Sequence, residues 1–102
     1  MKLHLLGTGT PVLDIQQLAT TAILIEDGSK KILFDAGRGV TSQLLQQGIN
    51  LTTIGTLFIT HHHYDHICDL GEFLLTSWHN GRVDPIRVFG PAGTAAIVDA
   101  ML

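Results

Sequence analysis

At 102 residues the chain is long enough for one small domain, and its formal net charge of −3, without a cluster of Lys or Arg, gives no electrostatic signature of nucleic-acid binding. Its apolar share of 45% is high, yet no run approaches the ~18 apolar residues of a membrane span, and the N-terminus lacks the apolar core of a signal peptide. These features predict no membrane segment and a cytoplasmic location. Cys68 is the single cysteine and cannot form an internal disulfide, which fits a reducing compartment.

The first third of the chain has the pattern of strands rather than helices. The predicted strands are, in order, the residues around Leu3 and Leu5, Thr21–Glu26 and Lys31–Asp35. Asp27-Gly28 lies between the second and the third strand and is typical of a hairpin turn. We therefore expect these two strands to pair antiparallel.

The rest of the chain alternates helices and strands. The predicted elements are a helix with apolar positions from Val40 to Ile49, a buried strand Thr56–Thr60, a helix with apolar positions from Ile67 to Leu74 that ends at Asn80-Gly81, a strand Ile86–Phe89 and a helical tail Ala95–Leu102. Gly48 is expected to end the first helix, and Thr94 is expected to be the N-cap of the last one. The order β, ββ, α, β, α, β, α indicates an α/β fold with layered helices and strands.

Four histidines and an aspartate lie within residues 61–66, directly behind the predicted strand Thr56–Thr60. Because successive side chains of an extended segment point to opposite sides, His61 and His63 share one face and form a pair suited to a metal ion. Asp65 and His66 follow where the chain turns into a helix, which allows both to face the same pocket. Nitrogen and oxygen donors of this kind suit zinc first, with iron or manganese as substitutes.

The remaining residues of the cluster have simpler interpretations. His62 faces away from the pair by alternation, so we expect it outside the ligand set. Cys68 follows on the predicted helix, where a free cysteine usually packs as a small hydrophobe. The alternative for the whole cluster is a set of exposed loop histidines without a role. Its internal position and its attachment to a core strand favour the metal site.

The motif His61-x-His63-x-Asp65-His66 after an apolar strand resembles the His-x-His-x-Asp-His signature of the metallo-β-lactamase fold superfamily. Three further stretches resemble, in order and spacing, the ribonuclease Z-like branch of that superfamily. They are Leu6–Pro11, Leu33–Gly37 and Val88–Thr94. The resemblance covers nearly the whole chain and implies the N-terminal half of an αββα sandwich.

One stretch departs from the ribonuclease Z pattern. Residues 35–41 read Asp-Ala-Gly-Arg-Gly-Val-Thr, where ribonuclease Z typically has Asp-Cys-Gly-Glu-Gly-Thr-Gln. Together with Leu75–Trp78 and Gly81-Arg82, this form is more similar to the arylsulfatase-type metallohydrolases. The resemblance therefore points to a sulfate or phosphate ester rather than to tRNA.

The resemblance also implies roles for individual residues. His61 and His63 would bind a first zinc ion, and Asp65 and His66 would bind a second. Asp35 resembles the aspartate that supports the metal-binding loop from behind the ligands. On the residues alone, Asp35 fits equally well as part of a turn before Ala36-Gly37.

Members of the superfamily complete this site with two more histidines and a bridging aspartate, all from their C-terminal half. No matching motif follows His79 in this chain. We therefore expect residues 1–102 to be a partial metallo-β-lactamase-like domain without that half, and a poor hydrolase alone. Its uncovered sheet face would be apolar and would favour a homo-oligomer.

The function implied by the resemblance is a zinc-dependent hydrolase in which metal-bound hydroxide attacks a small-molecule sulfate or phosphate ester. Asp65 would both ligate a metal and orient the hydroxide. One alternative is a ribonuclease Z-type endonuclease that processes tRNA 3′ ends, which leaves RNA open as a substrate. The other is a non-catalytic module that binds metal or associates with itself.

Overall fold

The protein is described here by a computed structural model, which describes residues 1–12, 16 and 18–102. Its elements are β1 (Lys2–Gly7), β2 (Ala22–Asp27), β3 (Lys30–Phe34), α1 (Val40–Gln46), a short 3-10 helix (Leu51–Thr53), β4 (Thr56–Phe58), α2 (Tyr64–Ile67), α3 (Leu70–His79), β5 (Arg87–Phe89) and α4 (Thr94–Met101). The predicted α/β order is confirmed, with the 3-10 helix and α2 as additions. None of the helices among the described residues has the length and apolar character that a membrane span requires.

Within the part of the chain that the structure describes, five strands form one mixed sheet in the order β1-β2-β3-β4-β5. β2 and β3 pair antiparallel, as expected for strands joined by a tight turn, and Asp27 pairs with Lys30 across two residues. β1 also pairs antiparallel with β2. β3, β4 and β5 pair parallel because a helix follows each of the first two. The carboxyl ends of these three parallel strands therefore lie side by side.

The helices cover one face of this sheet. Leu24, Leu33 and Leu57 are neighbours in register on β2, β3 and β4, and all three are fully buried. Leu44 of α1 and Phe73 of α3 complete the same core from the helical side. The alternation of side chains along each strand explains why one face is packed while the other is not.

The opposite face carries a row of apolar residues across all five strands. In register these are Leu5, Ile23, Phe34, Phe58 and Phe89. Phe58 stacks on Phe34 and on Phe89 at ring-centroid distances of 5.4 Å and 5.0 Å. Leu5 is 60% exposed, Phe58 36% and Phe89 40%. We refer to these five residues as the open apolar row.

Two predicted helix ends can be compared with the structure. Gly48 does follow α1, with φ of +73°, and the amides of Gly48 and Ile49 donate to the carbonyls of Leu45 and Leu44. The predicted N-cap at Thr94 is wrong, because Gly93 occupies that position with φ of +96° and Thr94 is the first helical residue. The Thr94 hydroxyl instead donates to the carbonyl of Pro91.

Candidate metal centre

The predicted site residues lie at the carboxyl ends of the parallel strands. Asp35 follows β3, and residues 59–63 follow β4 and lead into α2, which carries Asp65 and His66. The amide of Asp35 donates to the carbonyl of Phe58 at 2.8 Å, so the two strand ends are joined directly. This edge is where α/β sheets usually hold their ligands.

Asp35 is the hub of the site. Its side chain is buried, with 3% exposure, and its φ of +66° is in the left-handed region. Oδ1 accepts the amide of Thr60 at 2.8 Å, while Oδ2 accepts the Thr60 hydroxyl at 2.8 Å and Nδ1–H of His66 at 2.7 Å. One carboxylate therefore fixes both the start of the histidine segment and the ring of His66.

The same hydrogen bonds define the tautomers of two histidines. The Thr60 hydroxyl donates a hydrogen bond to Asp35, so its oxygen accepts a hydrogen bond from Nδ1–H of His61 at 2.9 Å. His66 likewise donates a hydrogen bond from Nδ1–H to Asp35. Both rings are left with Nε2 as the nitrogen that carries a free lone pair, which is the form a metal ligand needs.

The four predicted ligands are close together. The ring centroid of His61 lies 4.5 Å from that of His63 and 4.0 Å from that of His66. Asp65 is 9% exposed, and its Oδ2 lies 3.7 Å from Nε2 of His66. The donors are imidazole nitrogens and a carboxylate oxygen, a set that fits zinc. Even so, within the described residues no three His, Cys, Asp or Glu side chains are arranged as a finished metal site.

His62 belongs to a different part of the structure. Its Nε2 lies 2.8 Å from the hydroxyl of Thr94, at the start of α4. Because that hydroxyl donates to the carbonyl of Pro91, it accepts the proton of His62. His62 therefore connects the histidine segment to the start of α4. Its ring forms a hydrogen bond with Thr94 and not with Asp35.

Beside the predicted ligands lies an exposed aromatic ring paired with a cation. Tyr64 precedes Asp65 and is 61% exposed, and the guanidinium carbon of Arg38 lies 5.9 Å from its ring centroid. The guanidinium also donates to the carbonyl of Leu18 at 3.4 Å. A guanidinium held in this way can donate to an anionic group.

Sequence reasoning missed the hydroxyl residues of the site. Thr60 bridges Asp35 and His61, and Thr20 donates to the carbonyl of Asp65 at 2.8 Å. Thr60 directly precedes the first histidine of the motif, which is a weak signal for such a role. For Thr20 the sequence holds no comparable signal, because its partner is 45 residues away.

The family comparison matches residues 15–102 to the metallo-beta-lactamase superfamily. The fold and the histidine motif agree with this match. The chain belongs to the metallo-beta-lactamase superfamily.

The chain is similar in sequence to ribonucleases Z of mycobacteria. The chain is 41% identical over 104 residues to ribonuclease Z of Mycobacterium sp. strain KMS, and 41% identical over 105 residues to ribonuclease Z of Mycobacterium marinum. Both alignments cover the whole chain but only 36% and 37% of those relatives. The chain thus spans little more than a third of the curated relatives it matches.

Solved structures show the same fold. Human tRNase Z, short form, superposes with a TM-score of 0.87 at 29% identity, over 98% of this chain and 38% of that one. The metallo-beta-lactamase fold protein YhfI from Bacillus subtilis superposes with a TM-score of 0.80 at 20% identity, over 96% of this chain and 41% of that one. The second likeness concerns the fold alone.

Proposed function

We propose that this chain supplies part of the metal site of a ribonuclease Z-type phosphodiesterase that acts on RNA. The observation that carries the proposal is the 41% identity to ribonuclease Z along the whole chain. It outweighs the Asp-Ala-Gly-Arg-Gly stretch, which favours a small-molecule sulfate or phosphate ester. The RNA alternative from the sequence therefore has better support than the small-ester interpretation.

The roles of the residues follow from the contacts around Asp35. His61 and His63 would hold one zinc ion, and Asp65 and His66 a second, since Nε2 of His61 and of His66 is free for a ligand. When bound, zinc lowers the pKa of a water molecule and polarises the ester. Asp65 would orient the attacking water, and Asp35 would keep the ring of His66 in place.

The proposed metal site needs ligands besides His61, His63, Asp65 and His66. The resemblance implies two further histidines and a bridging aspartate, so we propose that these ligands come from outside residues 1–102. Residues 1–102 would then act as one partial domain of a larger catalytic unit.

Arg38, held over Tyr64, would contact a phosphate of the RNA backbone. The cytoplasmic location stays a prediction.

A second candidate function is a non-catalytic module that binds metal or pairs with a second copy. Two observations favour it. The described residues contain no finished metal site, and the open apolar row lies on a sheet face without helices. An exposed apolar surface of this kind commonly marks an interface.

The test combines this chain with the C-terminal remainder of the Mycobacterium marinum ribonuclease Z as one polypeptide. Precursor tRNA, a bis-aryl phosphate and an aryl sulfate are offered as substrates with added zinc. We expect cleavage of the RNA and of the phosphodiester, abolished by Asp65→Ala and unaffected by Asp27→Asn in the exposed hairpin turn. Turnover of the sulfate without cleavage of either phosphodiester would contradict the proposal in favour of a sulfatase.

A further inference from the structure

Thr20 lies fully buried where three segments of the chain meet. Its hydroxyl donates to the carbonyl of Asp65 at 2.8 Å and accepts the amide proton of Arg38. Its own amide donates to the carbonyl of Arg38 at 3.0 Å. The residue therefore joins the loop before β2, the loop after β3 and the start of α2, which carries the predicted ligands Asp65 and His66.

The direction of these hydrogen bonds is fixed. The amide of Arg38 can only donate, so the Thr20 hydroxyl must accept there with a lone pair. Its single proton is then directed to the carbonyl oxygen of Asp65. The thiol of Cys68 lies 3.8 Å from the hydroxyl oxygen of Thr20 and is placed to donate weakly to that hydroxyl oxygen.

The carbonyl of Asp65 needs this partner because α2 is only four residues long. In a longer helix the amide of Asp69 would donate to it, but that amide donates to the carbonyl of Ala36 at 2.9 Å. The next carbonyl, of His66, accepts the amide of Ala36 at 2.8 Å. Two successive carbonyls of predicted ligands are therefore held from outside the helix, one by Thr20 and one by Ala36.

The packing around Thr20 leaves no room for adjustment. A Cβ atom on Gly37 would lie 2.5 Å from the Thr20 hydroxyl oxygen and 2.6 Å from the carbonyl oxygen of Asp65. Only a glycine allows the three segments to approach this closely. Helices of one turn are marginal by themselves, so the direction of the Asp65 side chain depends on these external contacts.

We propose that Thr20 is a positioning residue for Asp65, holding the backbone of this ligand through a hydroxyl-to-carbonyl hydrogen bond. The inference rests on the proposed metal-binding function. Loss of the hydroxyl leaves the carbonyl of Asp65 without its donor and frees the residue to turn. The Asp65 carboxylate then moves away from Nε2 of His66, from which it lies 3.7 Å in the structure. The affinity for the metal ion falls while the fold is kept.

The experiment uses this chain joined to the C-terminal remainder of the Mycobacterium marinum ribonuclease Z, purified without a histidine tag. It measures cobalt(II) binding by titration and by the visible absorption of the bound ion. Thr20→Val removes the hydroxyl at nearly constant volume, and Thr20→Ser keeps it. We expect a dissociation constant roughly tenfold or more higher and an altered cobalt spectrum for Thr20→Val, in the range of other residues that support metal ligands. Thr20→Ser should stay within about threefold of the wild type.

The control is Ser77→Ala, which removes a buried hydroxyl of α3 that accepts Nε–H of Arg82 at 2.6 Å. It should lower the melting temperature without changing the cobalt affinity or spectrum. A measurement on the wild type covers the case in which Thr20→Val does not fold. The hydroxyl proton of Thr20 should be slow enough in exchange for detection by NMR, and its resonance should shift when zinc is added.

Distinct results would overturn the inference and the function on which it rests. A wild-type chain that binds cobalt, together with a folded Thr20→Val chain of equal affinity and spectrum, overturns the positioning role alone. The same holds if the Thr20 hydroxyl proton exchanges freely in a wild-type chain that binds zinc. A wild-type joined polypeptide that binds neither ion overturns the proposed metal-binding function, and the positioning role with it.

Discussion

The carboxylate of Asp35 lies 2.7 Å from Nδ1 of His66. Asp35 makes this contact from a backbone φ of +66°, which non-glycine residues seldom adopt. Such a conformation costs about 1 to 3 kcal/mol and persists where surrounding contacts determine it. Here the amide of Asp35 bonds to Phe58, and its carboxylate accepts from Thr60 and His66. The strained residue thereby directs the His66 ring.

This relationship predicts the effect of Asp35→Asn on metal binding. Asparagine tolerates the left-handed conformation, so the backbone should be kept. Its amide replaces one acceptor oxygen by a donor, and it cannot serve both Thr60 and His66 as the carboxylate does. We expect zinc affinity to fall roughly 10- to 100-fold, measured by competition with a chromophoric chelator. Asp27→Asn, in the exposed turn, is the matched control and should leave the affinity unchanged; equal affinities for both variants would refute the role of Asp35.

The strands were predictable because each is a short apolar run bounded by turn residues, whereas the end of β4 was not. The sequence extends that strand to Thr60, since a β-branched residue fits a strand well. In the structure β4 ends at Phe58, because the amide and hydroxyl of Thr60 bond to Asp35, 25 residues earlier in the chain. The motif similarly identified His61, His63, Asp65 and His66 as a group. Partners such as Thr20 depend on long-range contacts that no local pattern encodes.

Arg82 should be important for stability rather than for metal binding. Its Nε–H donates to Ser77, and its Nη2 donates to the carbonyls of Leu51 and Ile54 at 2.8 Å and 2.6 Å. Both carbonyls belong to buried residues, Leu51 at the start of the 3-10 helix and Ile54 directly after its end. Arg82→Lys cannot reproduce the planar fork, so we expect the free energy of unfolding to fall by about 1 to 3 kcal/mol in urea denaturation.

A control for Arg82 is available on the exposed side of the molecule. Arg87 lies over the ring of Phe89, with its guanidinium carbon 5.3 Å from the ring centroid. Arg87→Lys keeps a cation there and should change stability by less than about 0.5 kcal/mol. A similar loss in both variants would mean that the bonds of Arg82 to Leu51 and Ile54 have no special weight.

Asp69 predicts a pH dependence of stability. Burial raises the pKa of its carboxyl above the ordinary value of 3.8, although hydrogen bonds from the amide and hydroxyl of Thr41 act against this shift. A raised pKa means that the folded state binds the proton more tightly than the unfolded state. Its contribution to stability is therefore fully present below about pH 4 and is lost as the pH rises through the folded pKa.

The test compares the wild type with Asp69→Asn by thermal unfolding between pH 3.5 and 7. Asparagine keeps an acceptor for Thr41 but cannot ionise. We expect the melting temperature of the variant to gain on that of the wild type as the pH rises from about 4, and the difference to level off once Asp69 is ionised in both states. A constant difference across this range would show that the carboxyl of Asp69 titrates equally in both states.

The 102-residue chain alone should be a poor catalyst. Four predicted ligands are gathered near Asp35, but within the described residues no three of them form a finished metal site. Turnover of a bis-aryl phosphate and of an aryl sulfate should stay near background with added zinc. Robust turnover that Asp65→Ala abolishes would contradict this, and would indicate that two copies assemble one site.

The open apolar row predicts self-association. Complete burial of a large apolar side chain contributes roughly 1.5 to 3 kcal/mol. Leu5, Phe58 and Phe89 are 60%, 36% and 40% exposed and would gain the corresponding part of it, so covering them with a second copy is favourable. Two-fold pairs are the commonest assembly of identical chains. Light scattering should therefore give at least twice the mass of one chain, and Phe58→Lys should shift the protein toward the monomer because it places a charge in the middle of the row. Val83→Lys is the matched control, since Val83 is 92% exposed outside the sheet and its replacement should leave the mass unchanged. A wild-type chain that stays monomeric and unfolds at a temperature independent of its concentration would contradict the prediction.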